Sequence, residues 1–262
     1  MAVNQRDPYD SPARTAAILR ILGIEESEID ASRRVQRFAE CNGFAGVMAA
    51  AEFTASRTTE IKDPWRYAVH VFNHNLGRLS LLYVLTHWAE RSLRSRIDMG
   101  LTRAIGPSWH EVPDGYLPER SIGYFVGDKS QPIRWTPDPR LRGRMRAETT
   151  SSVEFLEAVT LGWLVQVMLH NYRPRLSGCL VRPDGSSASF DEAQSLLDVC
   201  NETRREVAHN RYIPNHAYSR QLNHLMRLLE LLQFDVTRAL ARSEQARRQV
   251  VDQVLRERSN ER

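Results

Sequence analysis

Cysteine and lysine are scarce in this 262-residue chain, and long apolar runs are missing. The three cysteines, Cys41, Cys179 and Cys200, are scattered, and no two of them form a C-x-x-C pair. That argues against a disulfide framework and a cysteine-based zinc site, and leaves ordinary thiols. No stretch approaches the roughly 18–20 apolar residues that a transmembrane helix needs. The opening MAVNQRDPYD is polar and lacks the apolar core of a signal peptide. The expectation is a cytoplasmic protein with no membrane partner. Strand signals are nearly absent, which predicts an all-α class.

Arginine takes the place of lysine. Of 36 basic residues only Lys62 and Lys129 are lysines, set against 32 acidic residues for a net charge of +4. A guanidinium is a planar fork that pairs with phosphate and stacks on bases. A GC-rich genome would enrich arginine equally, so the location of the arginines has to decide. Hydrophobic residues make up 42% of the chain and charged ones 26%, an ordinary balance for a protein with a sizeable core.

Three stretches follow from the pattern. Residues 1–62 read as an N-terminal helical segment, with Gly23 ending its first helix and the small-residue run GVMAAAEF near its close. Residues 63–241 read as the main helical domain. Asp63-Pro64 supplies a cap and a first-turn proline, and apolar spacing then runs to Leu101 with a bend expected near Gly77. Residues 106–147 hold six prolines and five glycines and read as an irregular insertion, with a short extended piece at Ile122 to Val126. Further helices are expected from Ser151 or Ser152 past Met168, from Phe190 to about Tyr212, and from about Tyr218 to Ala241, with a loop over 173–189. Residues 242–262 form a charged C-terminal tail.

The richest segment is Asp198 to Ile213, where Asn201, Arg204, Arg205, His209, Asn210 and Arg211 fall within eleven positions. Arg204 and His209 are separated by four residues. Together with the string RREVAHNRYI, this spacing resembles the R-x(4–6)-H motif of the HEPN superfamily in its Abi-like (abortive-infection) form. Glu90, Leu93 and Arg94 resemble that family's Glu-preceded Leu-Arg helix. Ile105 to Trp109 resembles its Gly-x-x-Trp exit, and EAVTLGWLVQVM its glycine-containing helix. The four features occur in order from about residue 66 to 240. The family has asparagine directly after the motif arginine, where this chain has Arg205.

The resemblance implies a HEPN-like helical bundle with a long loop insertion, and metal-independent endoribonuclease chemistry with no cofactor. In that chemistry the ribose 2′-OH attacks the neighbouring phosphate. A histidine moves protons near neutral pH, and a fixed cation meets the charge developing on phosphorus. The roles implied are His209 as base or acid, Arg204 as phosphate clamp and Asn201 as an orienting amide. RNA is the implied partner together with a second copy in a homodimer, and the biological setting is a toxin or antiviral defence effector. An antitoxin or another defence-system protein is a further candidate partner. The alternative is a non-catalytic HEPN-like module for RNA binding or dimerisation.

Helix arithmetic complicates the pair. At about 100° per residue, Arg204 and His209 lie roughly 140° apart, whereas Arg205, His209 and Asn201 share a face. The long side chain of Arg204, a helix end near Ala208 or a partner subunit is needed to bring Arg204 to His209, and Arg205 competes for the clamp. Glu90 and Arg94 form an i, i+4 pair that either supports the site or serves as a plain structural bridge. Arg134, Trp135, Arg140 and Arg142, with Arg211, are candidates for RNA contact because arginines beside an aromatic suit single strands; a solvated loop fits the first four equally well. His70 and His74 stand at i, i+4 without an evident third ligand, so no metal site is expected.

Overall fold

The computed structural model describes residues 11–25, 29–58, 60–107, 109, 122–124, 133–135, 151–209 and 211–260. They form helices α1 (Ser11–Leu22), α2 (Ile29–Asn42), α3 (Phe44–Ala55) and α4 (Pro64–Ile105), a hairpin of β1 (Ile122–Tyr124) and β2 (Ile133–Trp135), and helices α5 (Ser152–Ala158), α6 (Leu161–Asn171), α7 (Phe190–Ala208), α8 (Asn215–Leu231) and α9 (Val236–Asn260). The class is predominantly helical. The expected extended piece is present as β1, which pairs antiparallel with β2, Gly123 opposite Arg134.

The chain folds as two compact units whose boundaries fall inside helices. One comprises residues 1–84 and 203–220, the other 85–202 and 221–262. The N-terminal helices therefore share a unit with the first half of α4.

In the first unit, α1 to α3 bury Ile18, Leu19, Val35, Ala39, Ala50 and Ala51 together with Ala68, Val71 and Phe72 of α4. Each large apolar side chain so buried contributes about 1.5–3 kcal/mol relative to exposure. Phe38 joins the layers edge-on, its ring 5.5 Å from Trp65 and 5.4 Å from Phe72. Gly23 does end α1. Its φ of 68° is left-handed, and Ile24 N–H donates back to the Leu19 carbonyl at 3.0 Å. Asp63 caps α4, its carboxylate accepting from Arg66 N–H at 2.9 Å. The helix then runs unbroken through Gly77 for 42 residues.

In the second unit, Leu85, Ala89, Leu93, Ile97 and Leu101 form a fully buried stripe along α4. Leu156, Leu164, Met168, Leu176, Leu197 and Leu228 are buried in the same unit. The single helix expected after Ser152 is two helices. Val159 and Thr160 are extended, and the Thr160 side chain accepts from Trp163 N–H to start α6. Beyond Asn171 the chain does not enter a loop directly. It continues as a π turn, Tyr172–Leu176, and a 3-10 turn, Ser177–Cys179, because Tyr172 and Leu176 are buried and Tyr172 donates its hydroxyl to the Ala188 carbonyl at 2.8 Å. Gly100 sits where a Cβ would lie 2.6 Å from Leu176 Cδ2 and 2.8 Å from Cys179 Sγ, so only glycine permits this approach.

Candidate functional site

α7 ends at Ala208, four residues before the end expected from the sequence. The cause is tertiary. His209 N–H still donates to the Arg205 carbonyl, but Arg211 N–H reaches back to the Glu206 carbonyl at 3.1 Å, which closes the helix. Asn75 of α4 then holds the departing chain. Its amide donates to the Arg211 carbonyl at 3.3 Å and its carbonyl oxygen accepts from Ile213 N–H at 3.1 Å. Asn75 is 6% exposed and Ile213 1%, so the bond between them lies out of water.

The segment fixed in this way forms one wall of an open groove of about 540 Å³ within the first unit, to which it contributes His209, Arg211 and Tyr212. The other wall is one face of α3 and its cap. Ala45 and Ala49 are small and leave room, while Glu52, Phe53 and Ser56 carry the functional groups. His209, Arg211 and Glu52 are exposed. Tyr212 is half-buried. Its ring lies 5.2 Å from Phe53 at a 36° tilt, and Arg57 lies over the same phenylalanine ring at 5.0 Å. Burial raises the Tyr212 phenol above its ordinary range, against the lowering pull of Arg78 and Arg57, so its hydroxyl stays protonated at neutral pH.

Within this unit His209 and Arg211 come together in the groove. Arg204 does not line it. Its guanidinium lies over the exposed Tyr83 ring of α4, 5.7 Å from the centroid. Arg205 is exposed and is likewise not among the groove residues. Asn201 belongs to the second unit, where its amide lies across Gly162. Glu90 and Arg94 belong there too and form an ion pair at 2.7 Å. Arg94 also donates to the Leu156 carbonyl at 2.8 Å and to the Val159 carbonyl at 2.9 Å, so it satisfies the C-terminal end of α5. The pair is thus built into the packing of that unit. Arg134 falls on β2 with Trp135, and Arg140 and Arg142 lie outside the described residues.

His70 and His74 lie near-parallel with centroids 6.5 Å apart, and among the described residues no three histidine, cysteine or acidic side chains converge as metal ligands. No described helix is long and apolar enough to cross a membrane. Cys179 and Cys200 are buried. Burial raises both thiols, that of Cys200 to about 12 with Glu90 adding to the rise, so neither is suited to nucleophilic work.

Four groove residues escaped the sequence reading. Glu52, Phe53 and Ser56 hide in a run that looks like packing, although their spacing from Ala45 and Ala49 marks one helical face. Tyr212 stands beside the motif but contributes only once the chain leaves the helix. Asn75 was the more legible signal, a polar residue at core spacing between Phe72 and Leu79. Comparison with family models, curated proteins and solved structures finds no match to the chain.

Proposed function

We propose that the protein is a metal-independent endoribonuclease of HEPN type, acting as a toxin or antiphage effector. The observation that carries the reading is His209, an exposed residue at the end of α7, lining an open groove that Arg211 also lines. An imidazole is the side chain whose ordinary titration range spans neutral pH, and a neighbouring guanidinium is a permanent cation for phosphate.

In this reading RNA enters the groove with a phosphodiester at His209. The imidazole takes the proton of the ribose 2′-OH, or returns one to the departing 5′-oxygen, as the 2′-oxygen attacks phosphorus. The products are a 2′,3′-cyclic phosphate and a 5′-OH end. Arg211 holds the backbone. Arg204 is the cation for the charge developing on phosphorus, as the motif implies. A second copy facing the first brings a second motif to the same RNA.

The observation favouring a binding-only module is the same position of Arg204, over Tyr83 rather than in the groove. One experiment separates the two. Purified full-length protein is incubated with total RNA in EDTA, beside His209→Ala, and the product ends are analysed. Cyclic phosphate ends that vanish in the variant are expected. RNA bound but left intact by both proteins refutes the nuclease, and so does cleavage that needs an added divalent ion.

A further inference from the structure

The groove holds more than proton and phosphate chemistry requires. Beside His209 and Arg211 it has an aromatic wall, Phe53 and Tyr212, and an exposed carboxylate, Glu52. A carboxylate repels a phosphodiester backbone, so a groove meant only for phosphate gains nothing from Glu52. The combination makes sense if something besides phosphate enters. At about 540 Å³ the groove lies in the range of small-molecule sites.

We propose that this groove is a subsite for one unpaired nucleobase, with Glu52 selecting guanine. The proposal rests on the reading of the chain as an RNA enzyme and deepens it. Of the two rings, Phe53 already carries Arg57 over it and Tyr212 against it, so Tyr212 is the one to stack a base once that base is free of a duplex. Arg211 takes the phosphate attached to that nucleotide. Glu52 reads the base edge. An ionised carboxylate accepts two parallel N–H donors. Guanine presents such a pair, N1–H beside the exocyclic N2 amine. Adenine and cytosine offer only an exocyclic amine next to an acceptor, and uracil offers a single N–H between two carbonyls. Those acceptors meet the carboxylate oxygens with like partial charge. The Ser56 hydroxyl, also on the groove lining, spends its proton on the Phe53 carbonyl at 2.8 Å, so toward any other group it can only accept.

The spacing along α3 supports one base rather than a continuous strand. Ala45 and Ala49 leave the floor open, while Glu52, Phe53 and Ser56 cluster within four residues at the helix end. Opposite them, the Asn75 clamp fixes Tyr212 at the same end. Rigid support on both sides is what discrimination needs, because a base edge is read only when donor and acceptor positions are held.

The test is binding, not cleavage. Guanosine 3′-monophosphate and uridine 3′-monophosphate are titrated into the full chain and into Glu52→Gln, followed by calorimetry and amide NMR. A bidentate contact in an open groove should favour guanosine by about tenfold. Glu52→Gln should lose that preference, since its amide offers one acceptor and one repelling donor, while uridine binding holds or improves. Glu52 is exposed, so the variant should keep the fold; its helicity and melting are checked beside the titration. Equal affinity of the wild-type chain for the two nucleotides overturns the proposal, as does no binding of either, or a preference that survives in Glu52→Gln. Guanosine preference without any RNA cleavage would sink the nuclease and leave the subsite; RNA cleavage without base preference would do the reverse.

Discussion

Asn75→Ala should release the segment that carries His209. The wild-type amide makes two hydrogen bonds to the main chain beyond α7, and replacement leaves both backbone groups without a partner. They are not equal. Ile213 is 1% exposed, so its N–H loses its bond where water cannot replace it, at about 1–3 kcal/mol. The Arg211 carbonyl belongs to an exposed residue and can turn to water, so its loss is nearer the net value of one hydrogen bond, about 1 kcal/mol. The sum is about 2–4 kcal/mol. Because the chain forms two units, one melting temperature would blur the effect. Amide hydrogen exchange reads it locally. The Ile213 amide should exchange about thirtyfold faster or more, while amides of α5 and α6 keep wild-type rates. RNA cleavage should fall about a hundredfold, since displacement of a reacting group by about 1 Å has that effect. Ser80→Ala, which removes only an exposed bond to the Leu76 carbonyl, is the control and should change neither. Unchanged protection of Ile213 in Asn75→Ala would refute the clamp. Lost protection with full activity would show that the geometry at His209 does not depend on it.

Three further outcomes follow from the same structure. Arg204→Ala should lower cleavage about a hundredfold or more with RNA binding only modestly weaker, whereas Arg205→Ala should keep measurable activity and show an effect that shrinks as salt rises; the reverse result would transfer the role to Arg205, and circular dichroism checks that both keep their helicity. Gly100→Ala should destabilise the second unit by about 1–3 kcal/mol in urea unfolding, because the new methyl meets Leu176 and Cys179 inside a packed core, and wild-type stability would contradict that packing. Alkylation by iodoacetamide at neutral pH should modify Cys41, the exposed cysteine, and spare Cys179 and Cys200 until the chain unfolds. Burial raises the pKa of both thiols, that of Cys200 to about 12, so the reactive thiolate is suppressed at neutral pH. Mass spectrometry of labelled peptides checks it.

What the sequence determined by itself is local or periodic. Apolar spacing places the helices, Gly23 and Asp63-Pro64 mark an end and a start, and the proline-rich stretch marks the break after α4, because each signal acts within a few residues of the backbone it controls. The neighbourhood of the candidate site was legible for the same reason: arginine, histidine and asparagine crowd one helix end. What only the tertiary structure decided is which of them meet. Arg204 and His209 are neighbours in the motif, yet Arg204 goes to Tyr83 while His209 lines the groove with Arg211, because α7 stops at Ala208 under a clamp from a residue more than a hundred positions away. Glu52 and Phe53 reach the groove across a similar gap in sequence. Glu90 and Arg94 could be paired from their spacing, but not their task, since the carbonyls that Arg94 serves lie on α5 and just beyond it, over sixty residues on. Side-chain spacing reports the face of one helix. The partner of that face is set by long-range packing, and no local pattern encodes it.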